Sequence, residues 1–354
     1  MQDNMDLQRL QPNEIKKIEV INNPGARYEA NVKSVIRITT KKPQGEGFSL
    51  DDKTTFNLNE DKRLSSYESF QANYRKGGLD INGFLYGAYT HTPDNKQVRQ
   101  MSYLADTWQQ TMNVNQEYTN VNPYARVGFS YRPNEGNDLG ASISYNRYAR
   151  NEGAGAEAFH TMQNTVLKQS STADFLSPGQ STVYSSNAYY VGKIGSVKVD
   201  FNTDYYWYGK KTWMSLSETE LNERSQAEAE TSEVNSYRDN RNSMVASKLV
   251  LSVPLLKGSL SFGGEYSAVN RRTLYRVVPE LTDNENEKVK EAMTSAFIDY
   301  NRTFGPLTLQ AGLRYEYNDF DYYDHDLYIA EQSKTYGNWF PSLALSLPVG
   351  KTQM

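Results

Sequence analysis

Leu307-Thr308-Leu309-Gln310-Ala311-Gly312-Leu313-Arg314-Tyr315-Glu316-Tyr317-Asn318 is written in a period of two. Successive side chains of a β-strand point to opposite faces. One face of this segment therefore carries Leu307, Leu309, Ala311, Leu313, Tyr315 and Tyr317, and the other Thr308, Gln310, Gly312, Arg314, Glu316 and Asn318. The first face is apolar and ends in rings with a polar tip. The second mixes small, amide and charged side chains, which suits a wet lumen better than the Lys-, Glu- and Thr-rich outer face of a soluble sandwich. A strand this long also exceeds the ~5–6 residues usual in globular sheets. The segment reads as one stave of a transmembrane β-barrel, apolar outward and polar inward.

The same writing recurs in both directions along the chain. Ala125, Val127, Phe129 and Tyr131 alternate with Arg126, Gly128, Ser130 and Arg132. Leu139, Ala141, Ile143 and Tyr145 alternate with Gly140, Ser142, Ser144 and Asn146. Val197, Val199, Phe201, Tyr205 and Trp207 alternate with Lys198, Asp200, Asn202, Asp204 and Tyr206. Leu260, Phe262, Tyr266 and Ala268 alternate with Ser259, Ser261, Gly263 and Glu265. Arg126, Arg132, Asp200, Asp204, Glu265, Arg314 and Glu316 are thus the candidate lumen-facing charges, suited to pairing with a plug or to lining a path. Short connections near 75–78, 133–137, 194–196, 254–258 and 305–306 alternate with long polar ones at about 91–118, 151–182, 214–240, 276–291 and 320–335. Short turns on one side of the membrane and long loops on the other are what outer-membrane barrels show. The pattern predicts roughly twelve strands between Phe48 and Leu347, in an all-β, antiparallel fold.

Composition agrees. Among 354 residues there are 27 Tyr against 13 Phe, an aromatic population fit for membrane interfaces. The mean hydropathy of -0.74 fits a barrel, in which only alternate strand residues meet lipid. No apolar run approaches the ~18 residues of a membrane-crossing helix. Cysteine is absent and histidine occurs only at 91, 160 and 325, which removes thiol catalysis, Cys-ligated zinc and disulfide frameworks. The net charge of -4, without a basic stripe, argues against nucleic acid as a partner.

The first 42 residues differ from the rest. Ile15-Lys16-Lys17-Ile18-Glu19-Val20-Ile21 leads into Asn22-Asn23-Pro24-Gly25, where Gly accepts the positive φ of a type II turn. After Ala26-Arg27-Tyr28-Glu29-Ala30, a β-branched strand Val35-Ile36-Arg37-Ile38-Thr39-Thr40 ends at Lys41-Lys42-Pro43. This strand–turn–strand unit, carried by Ile18, Glu19, Val20, Pro24, Gly25, Arg27, Tyr28, Ile36, Arg37 and Ile38, resembles the C-terminal end of the plug domain in TonB-dependent outer-membrane receptors. The Gly-Leu-Arg-Tyr-Glu core of 312–316 and Phe340-Pro341-Ser342-Leu343 are similar to barrel segments of that family. Asn31-Val32-Lys33-Ser34 stands where many members carry a Gly-rich link.

The resemblance implies a plug end over 1–44 and the N-terminal portion of a barrel over 45–354, roughly twelve of about 22 strands. It implies an outer-membrane location in a Gram-negative bacterium, with outer-membrane lipid, an unidentified small ligand and the TonB energising complex as partners. Met1-Gln2-Asp3-Asn4-Met5-Asp6 lacks the basic and apolar regions of a signal peptide. With residues 348–354 reading as one more turn, the chain is expected to be a fragment. The segment contacting TonB would lie outside it. The rival readings are an unplugged porin-like or structural barrel, and a soluble secreted glycan-binding β-protein.

Other constellations carry weaker signals. Asp321-Tyr322-Tyr323-Asp324-His325-Asp326 has the donors of a hard-cation site, but alternate residues of an extended loop diverge. Glu218, Glu220, Glu223, Glu228, Glu230 and Glu233, and Glu280, Asp283, Glu285 and Glu287, read as solvated acidic runs. No Gly-x-Ser-x-Gly or His-Glu-x-x-His occurs, so catalytic, cofactor and metal residues are expected to be none, and the protein not an enzyme.

Overall fold

A computed structural model describes residues 15–22, 25–29, 32, 34–40, 45–59, 62–221 and 230–347. Two sheets form. The first is the hairpin β1 (Ile15–Asn22) and β2 (Ser34–Thr40). The second is an antiparallel meander of β3 (Gly47–Leu58), β4 (Leu64–Lys76), β5 (Leu79–Tyr103), β6 (Thr107–Asn134), β7 (Asn137–Gln163), β8 (Val166–Ile194), β9 (Val197–Leu221), β10 (Glu230–Leu255), β11 (Gly258–Val278), β12 (Glu285–Phe304), β13 (Leu307–Asp324), the two-residue β14 (Leu327–Tyr328) and β15 (Lys334–Ser346). From β3 to β13 each strand pairs with its sequence neighbours, and β14 and β15 both pair with β13. The edges β3 and β15 do not meet among the described residues, so the wall is an open arc of an incomplete barrel. Among these residues no helix is long and apolar enough to cross a membrane.

Five two-residue turns join the strands at one rim: Gly77-Gly78, Glu135-Gly136, Gly195-Ser196, Leu256-Lys257 and Gly305-Pro306. They fall where the short connections were expected. The opposite rim corrects the expectation of long loops. Most of 91–118 and 151–182 is ladder: β5 and β6 stay paired to Tyr103 and Thr107, and β7 and β8 to Gln163 and Val166. Asn, Thr and Gln fill both faces there, so a hairpin standing in water on both sides can continue without an apolar face. The connections at 276–291 and 320–335 keep shorter non-strand segments around 279–284 and 329–333.

Register fixes the two faces. Arg314 lies opposite Phe297 and Phe340, Phe297 opposite Gly263, Gly263 opposite Val250, and Val250 opposite Asp200. One face of the wall thus collects Asp200, Val250, Gly263, Phe297 and Arg314. The other exposes Ile81, Leu85, Val127, Phe129, Ile143, Leu249, Phe262, Ile298, Leu313, Leu343 and Leu345. Above this apolar band comes a belt of outward rings. Tyr145 stacks on Tyr184 (5.1 Å) and Tyr184 on Trp207 (5.6 Å), and Tyr315 meets Trp339 at 4.7 Å. A span of ~9–11 residues crosses the bilayer. On β9 that is Val197 to Trp207, and the rest of the strand rises beyond it.

Buried apolar side chains are few: Ala26, Val114, Ala173, Val250, Val277 and Phe297 among the described residues. In a soluble protein this would be no core at all. A wall whose outward face meets lipid needs none, because hydrocarbon does the covering.

Candidate functional site

Among the described residues, a cluster of buried apolar residues joins Ala26 of the turn after β1 to Val250 of β10 and Phe297 of β12. The turn at 25–29 is therefore seated against the inner face of the wall, near the rim of short turns. Gly25 has φ +78°, the left-handed conformation that the Pro-Gly reading required. Pro24 itself lies outside the described residues. The Tyr28 amide donates to the Gly25 carbonyl at 3.3 Å, closing the turn. Close approach depends on Gly312 of β13, where a Cβ would stand 2.7 Å from the Ala26 Cβ and 2.9 Å from Asp299.

Polar contacts extend the seat. Arg27 reaches Asp200 of β9 at 3.8 Å, and its guanidinium lies 5.4 Å from the ring of Tyr28. The Lys248 ammonium of β10 caps the same ring at 4.9 Å. Lys248 pairs in turn with Glu265 at 3.3 Å, and Glu265 with Arg314 at 3.3 Å. The Arg314 Nε donates to Glu316 at 2.6 Å. Arg314 is only 1% exposed, the most deeply buried large side chain described, and its charge is matched by two carboxylates.

The lumen-facing candidates divide into groups. Asp200, Glu265, Arg314 and Glu316 join the network beneath the turn. Asp204 accepts from Asn187 (2.8 Å) and Asn202 (2.7 Å), an amide–carboxylate knot one step higher. Arg132 pairs with Asp138 beside the short-turn rim, and Tyr189 donates to the same carboxylate at 3.1 Å. Arg126 stands opposite Phe84 and Ser144 on the inner face. Of the hairpin residues, Ile18 faces Ile38, Glu19 faces Arg37 and Val20 faces Ile36 across the β1–β2 ladder. Ile18, Val20 and Ile36 are more than half exposed and leave an apolar face largely uncovered among the described residues. The Lys17 ammonium donates to Glu19 at 2.6 Å and holds that carboxyl below its usual range.

Sequence reasoning missed Ala26, Lys248, Val250, Phe297, Asp299, Gly312 and Gln310, whose amide donates to Asp299 at 3.1 Å, as members of one site. Their inward phase was available from alternation, but nothing local says which strands the turn would touch.

Beyond the membrane span, the side chains of 321–326 go separate ways. Asp321 takes Tyr323, Asp324 takes His325 at 2.7 Å, and Asp326 takes Arg272 at 3.3 Å. No three such groups converge as for a metal among the described residues. The Tyr322 hydroxyl donates to Glu287 at 2.8 Å. That bond, then burial, pushes its phenol up to about 12. Of the acidic runs, Glu223 and Glu228 lie outside the described residues. The Ser170 hydroxyl meets the His160 Nδ1 at 3.0 Å in the β7–β8 hairpin, with no carboxylate bonded to that ring among the described residues. Two shallow hollows of about 400 and 390 Å³ lie on the outward face around Ile143, Ser186 and Tyr205.

Residues 193–354 match the outer membrane protein beta-barrel family. With its antiparallel wall, outward apolar band and aromatic belt, the chain is an outer-membrane β-barrel protein, and its place is the outer membrane. That location removes the soluble, secreted reading. No curated protein sequence matches the chain. Among solved structures, the outer membrane protease OmpT from Escherichia coli aligns at 10% identity and a TM-score of 0.23, over 75% of this chain and 95% of that one. OmpT (in-vitro folded), an outer membrane protein of Vibrio cholerae in trimer form, aligns at 10% identity and 0.22, over 84% and 100%. The first neighbour corrects the expectation that the protein is not an enzyme: it is a protease, so a barrel wall without a sequence motif is no ground for excluding catalysis. At such TM-scores neither likeness assigns an activity or carries any further argument.

Proposed function

We propose that this chain supplies the plug end, residues 1–44, and part of the wall, residues 45–354, of a TonB-dependent importer. The observation that carries this reading is the seat of the 25–29 turn on the inner face, with Ala26 buried against Val250 and Phe297. A porin has no use for a segment packed inside its lumen. The uncovered apolar face of Ile18, Val20 and Ile36 adds support, since an isolated two-stranded hairpin is at best marginally stable. A larger plug would cover it.

In this reading the wall spans the membrane and the hairpins beyond it meet a scarce ligand. The class of ligand spans an iron chelate, a cobalamin-like cofactor, an oligosaccharide or a peptide. The plug blocks the lumen until the TonB complex pulls on it. The contacts of the 25–29 turn suit an anchor: small, partly electrostatic and close to the short-turn rim.

The test is the conductance of the full reading frame in planar bilayers, intact and with residues 15–42 deleted. The intact protein should conduct little and the deletion should open a large, steady pore. A large pore in the intact protein would sink the importer and favour the porin-like barrel.

A further inference from the structure

Arg241 of β10 stands directly opposite Arg272 of β11, and Arg272 directly opposite Lys288 of β12. Like charges opposed across a ladder destabilise it, so three in a row are retained against a cost. The row lies on the outward face. Arg241 shares its phase with Val245 and Leu249, Arg272 with Phe262 and Tyr266, and Lys288 with Ile298. Lys211 of β9 and Lys290 of β12 have the same phase.

Height along the barrel places four of these charges at one level, with Lys288, sixteen residues from Phe304, two residues higher. Lys211, Arg241, Arg272 and Lys290 lie fourteen residues from Val197, Leu255, Gly258 and Phe304, the strand ends at the short-turn rim. Trp207 and Tyr317 of the aromatic belt lie ten residues from Val197 and Leu307. Four residues of strand are ~13 Å, or about 9 Å of height at a tilt of ~45°. The cations therefore sit in the headgroup layer above the belt. Short turns face the periplasm, so this is the outer leaflet.

Nearby carboxylates neutralise the row only in part. Asp239 accepts from Arg241 at 2.8 and 3.2 Å, and Asp326 from Arg272 at 3.3 Å. Asp321 faces Lys290 in register, and Asp319, one step lower, accepts the Thr335 hydroxyl at 2.9 Å. The ammonium groups of Lys288 and Lys290 lie over the Tyr323 ring at 5.2 and 5.3 Å. Arg241 and Arg272 remain 56% and 47% exposed, with donors free to turn outward.

We propose that Arg241, Arg272 and Lys288 form a seat for the phosphate of a phosphorylated glycolipid in the outer leaflet. One phosphate between the two guanidiniums converts their repulsion into shared, charge-assisted hydrogen bonds. The sugar rests at the level of Trp207 and Tyr266, and the acyl chains lie along the apolar band. This seat depends on the outer-membrane location and on the orientation given by the turns, and not on the importer reading.

The test uses the full reading frame folded in dodecyl maltoside micelles and titrated, with native mass spectrometry, against bisphosphorylated lipid A, monophosphorylated lipid A and phosphatidylglycerol. Bisphosphorylated lipid A should bind roughly tenfold or more tightly than phosphatidylglycerol, and R241Q/R272Q/K288Q should lose about that factor. R241K/R272K should keep most of it. Thermal melting supplies a second readout. Lipid A should raise the melting temperature of the wild type, and raise that of the triple Gln variant by clearly less. Equal lipid A affinity of the Gln variant and wild type, equal wild-type affinity for phosphatidylglycerol, or an equal rise in melting temperature of the two on adding lipid A would each overturn the seat.

Discussion

Arg314 concentrates the electrostatics of the lumen in one side chain. It is nearly inaccessible, yet it carries Glu265 and Glu316 on two of its nitrogens, while Nη1 finds no acceptor among the described residues. Removing one partner of a buried charge network is costly because the remaining charges stay desolvated. Arg314→Met should therefore lower stability by about 3–5 kcal/mol, read as the urea midpoint of the folded chain in lipid vesicles. Adding Glu265→Gln and Glu316→Gln should restore most of the loss. If the triple variant stays as unstable as the single one, Arg314 acts through packing rather than charge. Alternation placed Arg314, Glu265 and Glu316 on the inner face, and to that extent the network was readable. That Lys248 and Tyr28 complete it was not, because only the folded wall brings β10 and the 25–29 turn to the inner face of β13.

At the scale of elements, the five short turns differ in quality. Gly77-Gly78, Gly195-Ser196 and Gly305-Pro306 place glycine at positive φ, as tight hairpins prefer. Leu256-Lys257 does the same work with φ of 48° and 59° on two residues that have a Cβ. Such residues are strained in the left-handed region. Replacing the pair by Asn-Gly should stabilise the β10–β11 hairpin by roughly 1–2 kcal/mol, measured as a rise in melting temperature with unchanged fold. An unchanged or lower melting temperature would mean that the Leu256 side chain contributes at the rim more than its backbone costs. Turn positions were legible from Gly, Pro and Asn clusters. The length of the outer hairpins was not, since polar segments paired on both sides look like loops to a reading that relies on an apolar face.

For the whole molecule, the open wall is the governing feature. β3 and β15 end the sheet without partners among the described residues, and both expose apolar side chains: Phe48, Leu50, Phe56 and Leu58 on one, Trp339, Leu343 and Leu345 on the other. Unpaired backbone groups cannot stand in hydrocarbon, and bare edges pair with whatever strand is available. The 354-residue chain refolded by itself should therefore associate edge to edge, seen as a ladder of oligomers after cross-linking in micelles. A monomeric, heat-modifiable and protease-resistant band would show instead that the wall closes on itself at smaller diameter.

The period of two by itself determined which residues of each strand face lipid and which face the lumen, because that choice is written in covalent alternation. Gly and Pro likewise determined where the wall reverses. Only the tertiary structure decided which of those residues meet. Arg241 opposite Arg272, and Arg272 opposite Lys288, follow from strand register, and the same register gathers Val250, Phe297 and Lys248 where Ala26 and Tyr28 of the turn meet them. Register is a cooperative property of the hydrogen-bonded ladder: a slip of one residue would turn each side chain to the other face, and no single strand carries enough information to choose it.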